Sequence, residues 1–252
     1  MTRRRVFVTA GAGGIGLTLA RRFAEGGARV AVSDVDAEAV AALPGGIRGF
    51  AADVTDEAAM AEVFTTLDAD WDGVDVVCAN AGTGGPAGPI ETLDLAGWRA
   101  CLAANLDGAF LACRWAAAHM KRQGGGLILL TSSTAGLFGY PNRSPYATAK
   151  WGVIGLAKTL AMELGAYGVR VNALCPGAVE GPRMERVLAM EAAARGTTPE
   201  AMRQVYVQGT SLKTWVTADD VAEMALYLAS PAGARISGQA LAIDGHTETL
   251  NG

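Results

Sequence analysis

Short apolar runs and longer amphipathic stretches alternate along the whole chain. The runs are Arg5–Thr9, Arg29–Ser33, Ile47–Ala52, Val74–Ala79, Leu127–Thr131, Val169–Leu174 and Ala240–Ile243. They are rich in Val, Ile and Leu and lack polar alternation, the pattern of strands buried on both faces. Between them lie segments of helical length. Gly14–Glu25 follows the first run, Glu57–Leu67 opens behind the cap Thr55-Asp56, and Trp98–Lys121 and Pro145–Ala166 are long. Thr217–Ala229 opens with a capping-box-like Thr217-Ala218-Asp219-Asp220. Strand–helix alternation predicts right-handed βαβ units. The expected fold class is therefore α/β, a doubly wound parallel sheet of about seven strands with helices on both faces. No linker, repeat or low-complexity tract interrupts it, so residues 1–252 read as a single domain.

Residues 181–212 break the rhythm. They hold two helix-like pieces, Met184–Arg195 and Pro199–Val207, joined through Gly196-Thr197-Thr198. This insertion follows the C-terminal end of a strand, where α/β proteins place their sites, and is expected to be a substrate lid. A helical pair packed as decoration is the alternative.

Composition narrows the field. Half of the 252 residues are apolar and the net charge is −4, with no basic stripe beyond Arg3, Arg4 and Arg5. A nucleic-acid partner is disfavoured. Those arginines precede an uncharged stretch that mimics a secretory signal, but Gly11, Gly13, Gly14 and Gly16 interrupt it. No uninterrupted apolar stretch is long enough for a membrane span. Cys78, Cys101, Cys113 and Cys175 form no C-x-x-C pair and read as reduced, buried residues of a cytoplasmic protein. With only His119 and His246, both read as structural, no histidine-rich metal site is expected.

The 33 glycines concentrate attention on the first turn. Thr9-Ala10-Gly11-Ala12-Gly13-Gly14-Ile15-Gly16 sits between the first strand and the first helix. Gly11, Gly13 and Gly16 allow a tight bend and close backbone approach to a pyrophosphate, and the helix N-terminus offers free N–H groups to the anion. This is the Rossmann-type dinucleotide turn. Asp34, at the end of the second run, suits the adenosine ribose hydroxyls and repels a 2′-phosphate. Two like unit charges 4 Å apart repel by roughly 4 kcal/mol at an effective dielectric near 20. NAD is therefore expected over NADP, provided neither Arg29 nor Arg48 folds into the site.

Tyr146-Ala147-Thr148-Ala149-Lys150 places a phenol and an ammonium one helical turn apart on one face. A free phenol has a pKa near 10 and is a poor base at neutral pH; a neighbouring cation lowers it. Alone, such a pair usually marks an exposed helix face. Ser133, at the end of the fifth run, sharpens it, because its hydroxyl can bond the same substrate oxygen; Ser132 is its rival.

With these motifs in order and at matching spacing, the chain resembles the short-chain dehydrogenase/reductase family over nearly its whole length. The resemblance rests on the glycine turn, Asp53-Val54, Asn80-Ala81-Gly82, Asn105, Ser133, Tyr146/Lys150 and Pro176-Gly177. It implies Tyr146 as general acid/base, Lys150 as the cation that lowers its pKa and binds the nicotinamide ribose, and Ser133 as the group orienting the reacting oxygen. It implies that Asn105 holds a water in a proton relay, that Asp53 and Val54 line the adenine, and that Asn80, Ala81 and Gly82 brace the sheet beside the cofactor. Pro176, Gly177 and Val179 are implied at the nicotinamide. Three positions depart from the pattern. Ala10 replaces a glycine and is expected to be tolerated through a negative φ; Ala79 replaces an asparagine; Gly181 replaces a threonine at the carboxamide.

The resulting expectation is an NAD-dependent oxidoreductase moving hydride between the cofactor and a secondary alcohol or ketone, such as a sugar, polyol or hydroxy acid. The rivals are an NADPH-dependent carbonyl reductase, such as a 3-oxoacyl-carrier reductase, and a non-catalytic cofactor-binding protein. Substrate contacts are expected from Thr83 to Gly85, Tyr140, Asn142, Arg143 and Glu180, with Met184, Met190 and Trp215 from the lid. Arg143 and Arg183 can hold an anionic group, although surface solvation is the simpler reading of each. Trp98, Trp115 and Trp151 read as core or subunit contact. The resemblance further implies a homotetramer or dimer built on the two long helices, with the tail Gly245–Gly252 reaching a neighbour.

Overall fold

The apolar runs become strands β1 (Arg5–Thr9), β2 (Arg29–Asp34), β3 (Ile47–Ala51), β4 (Val76–Ala79), β5 (Gly126–Thr131), β6 (Val169–Pro176) and β7 (Ala240–Ile243). They are seen in a computed structural model that describes residues 3–247. All pair in parallel, in the order β3-β2-β1-β4-β5-β6-β7. The chain leaves β1 on one side towards β2 and returns on the other with β4. The C-terminal ends of these two strands therefore border the crevice where doubly wound sheets take ligands. The tail residues 248–252, assigned above to a subunit contact, lie outside the described residues.

Strand pleating sorts side chains to the two faces. In β1, Val6 and Val8 point to one core, with Leu19 and Phe23 of α1 (Gly14–Glu25) and Val221 and Leu228 of α9 (Ala218–Ala229); Phe7 points to the other. The second core is covered by α3 (Glu57–Asp70), α5 (Gly108–Gln123) and α6 (Ser144–Gly165). Trp115 of α5 stacks on Phe64 with centroids 4.8 Å apart and meets Phe7 edge-on at 5.6 Å, so it is a core residue. Trp151 of α6 instead stands 52% exposed.

Several expectations need correction. Neither β3 nor β7 has a fully buried residue. Each is an edge strand, paired on one side only and so less covered than the central strands. The unpredicted short helix α2 (Ala37–Ala41) is started by Asp36, whose carboxylate accepts from the Ala39 N–H at 3.0 Å. The stretch Trp98–Lys121 is not one helix. Helix α4 (Leu95–Leu102), capped by Asp94, passes through a π-helical turn at Ala103–Asp107 into α5. A π turn shifts the side chains after it around the axis and often marks a functional position.

The insertion after β6 is helical, as α7 (Pro182–Arg195) and α8 (Pro199–Gln208). Pro at each start, Gly196 at φ 62° after α7, and the Thr198 hydroxyl accepting from Ala201 N–H at 3.2 Å set the boundaries. The pair has its own small core of Leu188, Ala192 and Met202, against which Met184, Tyr206 and Trp215 pack. A parallel bridge between Val179 and Val216 closes its base.

The turn after β1 is strained where a negative φ was expected. Ala10 sits at φ 48°, in the left-handed region, and Asn80 Nδ2 holds its carbonyl at 3.3 Å. The methyl is thus tolerated at a cost rather than avoided. Ala10→Gly should relieve about 1–2 kcal/mol of strain and give back part of it through a freer unfolded chain. The expected net gain of about 0.5–1 kcal/mol should appear as a higher urea midpoint at unchanged slope.

Candidate active site

A cleft of about 420 Å³ opens at the C-terminal edge of the sheet, under α7 and α8. One end is built by the turn into α1. An ideal Cβ on Gly13 or Gly14 would meet nothing within 4 Å, so both face open space, whereas one on Gly11 would enter the Val32 side chain and one on Gly16 the Ala10 carbonyl. The glycines thus divide the work: Gly11 and Gly16 let backbone pack, and Gly13 and Gly14 leave an opening against a helix start that no side chain caps. Unpaired first-turn N–H groups beside such an opening suit an anion. Ile15 also lines the cleft.

Asp34 lines the same end. Its carboxylate accepts from Ala12 N–H at 3.0 Å and Asp36 N–H at 3.1 Å, which fixes its direction. Neither suspected arginine reaches it. Arg48 pairs with Asp70, and Arg29 donates to the Asp70 carbonyl at 2.9 Å. Asp53 is exposed and accepts from Thr55 N–H and Oγ1, as a turn residue does, while Val54 packs against Gly108; neither lines this cleft. Asn80 ties three strands together: its Nδ2 donates to the Thr9 and Ala10 carbonyls and its Oδ1 accepts from Thr131 Oγ1 at 3.1 Å. Ala81 N–H donates to Thr9 Oγ1 at 3.0 Å.

The other end gathers Ser133, Tyr146 and Lys150 around one cavity. Pro145 in the first turn of α6 suits a helix start and places Tyr146 at the mouth, with Lys150 one turn further in. The Lys150 ammonium is buried and donates to the Thr131 carbonyl at 2.8 Å; it lies 5.6 Å from the Tyr146 ring centroid. The Ser132 hydroxyl is committed to the backbone of α6: it donates to the Lys150 carbonyl at 2.8 Å and locks α6 to the end of β5. Ser133 faces the cleft, its hydroxyl accepting from Ala135 N–H at 3.2 Å.

Electrostatics at this end favour an ionised phenol. Burial pushes Tyr146 up, but Lys150, Arg183, the Ser133 hydroxyl and Arg143 together hold it below its ordinary value. Burial likewise lowers Lys150, against the partial support of Tyr146. Behind them, in the π turn, Asn105 Nδ2 donates to the carbonyls of Thr83 and Cys101, both at 2.9 Å, and its buried Oδ1 has no protein partner. A Cβ on Gly82 would collide with that oxygen and lie 3.2 Å from Lys150 Nζ, so a glycine is required there. The remaining cysteines serve packing: burial pushes the Cys78 and Cys113 thiols up to about 12.

Pro176, Gly177, Val179 and Glu180 line the wall after β6. Met184 joins them from the insertion and Trp215 from the segment that follows it, whereas Met190 is 43% exposed. Arg143 is not a solvated surface residue: it is 5% exposed and lines the cleft. Arg183 is exposed but lies against the same phenol, 5.8 Å from its centroid. Sequence reasoning missed a further group. Tyr140 and Tyr206 both donate to Glu191 at 3.0 Å and lie 2.8 Å from each other, joining the loop after β5 to α7 and α8 across the cleft. Burial pushes Tyr140 up to about 12, so it stays a neutral donor. Only Tyr140 carried a sequence signal, its closeness to Tyr146.

A family model described as enoyl-(acyl carrier protein) reductase matches residues 10–246. A D-beta-hydroxybutyrate dehydrogenase of Rhizobium meliloti (strain 1021) is 34% identical, covering 97% of this chain and 98% of the relative. The solved structure of levodione reductase superposes with a TM-score of 0.91 at 30% identity over 97% of each chain. That of NAD+-bound xylitol dehydrogenase does so with 0.91 at 28% identity, over 96% of this chain and 98% of the other.

The lowered phenol gives a pH signature. Turnover that uses Tyr146 as a base should rise with pH through a limb below 10.0, and the reverse reaction, which needs the protonated phenol, should fall through the same limb. Lys150→Met removes one of the lowering cations. It should move the limb upward and reduce kcat/KM by about a hundredfold or more at neutral pH, as read from pH–rate profiles.

Proposed function

We propose that this chain, which belongs to the short-chain dehydrogenase/reductase family, is an NAD-dependent dehydrogenase of secondary alcohols. The single observation that carries the reading is the convergence of Ser133, Tyr146 and Lys150 on the cleft that begins at the open glycine turn. When bound, the dinucleotide supplies the hydride acceptor or donor. The residues do the rest. Gly13, Gly14 and Ile15, with the first N–H groups of α1, hold the pyrophosphate, and Asp34 takes the adenosine ribose. Lys150 binds the nicotinamide ribose, and Pro176, Gly177 and Val179 support the nicotinamide. Ser133 donates to the substrate oxygen and orients it. Tyr146, as phenolate, accepts the hydroxyl proton during oxidation and returns it during reduction. Asn105, whose Oδ1 lacks a protein partner, holds a water that passes the proton from Lys150 towards solvent. α7 and α8 act as the lid, with Glu191 joining Tyr140 to Tyr206 as its fastening.

The preference for NAD is supported by Asp34, whose carboxylate lines the cleft with no arginine paired to it. The same residue disfavours the carbonyl reductase that uses NADPH. Two further parts of the reading have their own support. Phe110 on α5 and Trp151 and Met162 on α6 are large apolar side chains 46%, 52% and 86% exposed, which suits a dimer or tetramer packed on these helices. Four free, buried cysteines suit the reducing cytoplasm.

The central test is reduction of NAD and NADP over a panel of secondary alcohols, sugars and hydroxy acids. NADH should bind at least about tenfold tighter than NADPH, a difference of about 1.4 kcal/mol, and Asp34→Ser should narrow the gap. Tyr146→Phe should keep cofactor binding and lose turnover. Equal affinity for the two cofactors refutes the preference, and turnover by Tyr146→Phe at the parent rate refutes the site. Light scattering should give a mass of two or four chains of 25.8 kDa.

A further inference from the structure

The cleft holds a cation, Arg143, whose side chain is hydrogen-bonded to the Gly84 carbonyl and to none of Ser133, Tyr146 and Lys150. Arg143 follows Asn142, whose φ of 60° turns the chain sharply into α6. The turn directs the Arg143 side chain inward, where its centre lies 5.4 Å from the Tyr140 ring centroid and 5.5 Å from that of Tyr146. It is 5% exposed, and its Nη2 donates to the Gly84 carbonyl at 3.2 Å. Its Nε and Nη1 are buried with no partner in the protein. A guanidinium does not shed its proton, and a buried cation with unpaired donors is costly to a fold. Such a group calls for an explanation.

Its surroundings supply charge of the same sign. Arg183 lies over the other part of the Tyr146 ring and donates to the Gly82 carbonyl at 3.3 Å, and Lys150 is the third cation at this phenol. None of the three takes part in an ion pair among the described residues. Glu191, the nearby acid on the lid, is occupied by Tyr140 and Tyr206. Ionising Tyr146 offsets one positive charge of three. A neutral polyol would leave the buried Arg143 without an ion partner, whereas a planar or tripodal oxyanion matches the donors of a guanidinium.

We infer that the substrate is a short hydroxy acid whose anionic group pairs with Arg143, flanked by Arg183, while its carbinol carbon lies at Ser133 and Tyr146. Carboxylate and sulfonate share this chemistry. Because the guanidinium packs against the ring of the reacting phenol, only a few bonds separate the anion from the carbinol. The inference rests on the dehydrogenase reading above and narrows its substrate class.

Two measurements separate the two statements. The first compares kcat/KM for NAD reduction with 3-hydroxybutyrate and 2-hydroxypropanesulfonate against the neutral methyl 3-hydroxybutyrate and butan-2-ol. At least one anion should exceed the neutral compounds by about a hundredfold, and which one does identifies the carboxylate or the sulfonate as the group bound. Arg143→Met should collapse that ratio, mainly through KM, and Arg143→Lys should restore part of it. NADH binding by each variant confirms that it is folded. Equal use of ester and acid, or a ratio unchanged in Arg143→Met, overturns the anion subsite and leaves the dehydrogenase reading intact.

The second measurement needs no turnover: calorimetric binding of butyrate and propanesulfonate to the NADH-loaded protein. Binding should survive Tyr146→Phe and weaken at least tenfold in Arg143→Met. Anion binding without oxidation of any alcohol supports the subsite and overturns the dehydrogenase reading, and absence of both overturns both.

Discussion

A buried ammonium beside a phenol is the interaction on which the active end of this molecule depends. Lys150 has lost its water and has one carbonyl, that of Thr131, as its direct hydrogen-bond partner. An ammonium so placed is tolerable only if other groups share its charge. Tyr146, one turn earlier on α6, is that group, and the two titrations pull on each other. The coupling makes the phenol a usable base and makes a close joint between β5 and α6 necessary. Ser132 provides the joint by bonding the Lys150 carbonyl, and Gly136 by allowing the backbones to touch.

The rest of the site follows from the way a doubly wound sheet divides its C-terminal edge. On the β1–β2 side the backbone is open, the helix start is uncapped and an acid stands at the strand end. On the β5–β6 side the groups are side chains, three of them cationic, packed around one ring. Asn80 links the halves by bonding the turn after β1 and the end of β5 at once. Such an edge suits a two-part ligand, with backbone amides for one end and side chains for the other, and the fold sets the distance between the two.

α7 and α8 have a small core of their own, and hydrogen bonds from Tyr140 and Arg183 join them to the body. The Tyr140–Glu191–Tyr206 contact spans the cleft from body to insertion. Elements fastened by a few hydrogen bonds over a small apolar patch open at low free energy, the property that the proposed lid requires.

Local chemistry was enough to determine much of this protein. The Val/Ile/Leu-rich runs marked the central strands, because a strand buried on both faces needs apolar residues at every position, whereas the edge strands β3 and β7 are only partly covered. The glycine spacing marked the turn, because only a residue without Cβ lets Val32 and the Ala10 carbonyl pack where Gly11 and Gly16 stand. Tyr146 and Lys150 were legible because a helix brings residues four apart to one face. What only the tertiary structure decided depends on residues distant in sequence or on a single backbone angle. The π turn at Asn105 was invisible, since the apolar periodicity continues across it. The left-handed Ala10 was missed because neighbouring bonds, not its own preference, set its φ. Arg143 reads in sequence as one more surface charge. The turn at Asn142 and the rings of Tyr140 and Tyr146 send it inward, and Glu191 joins the site only because α7 folds back across the cleft.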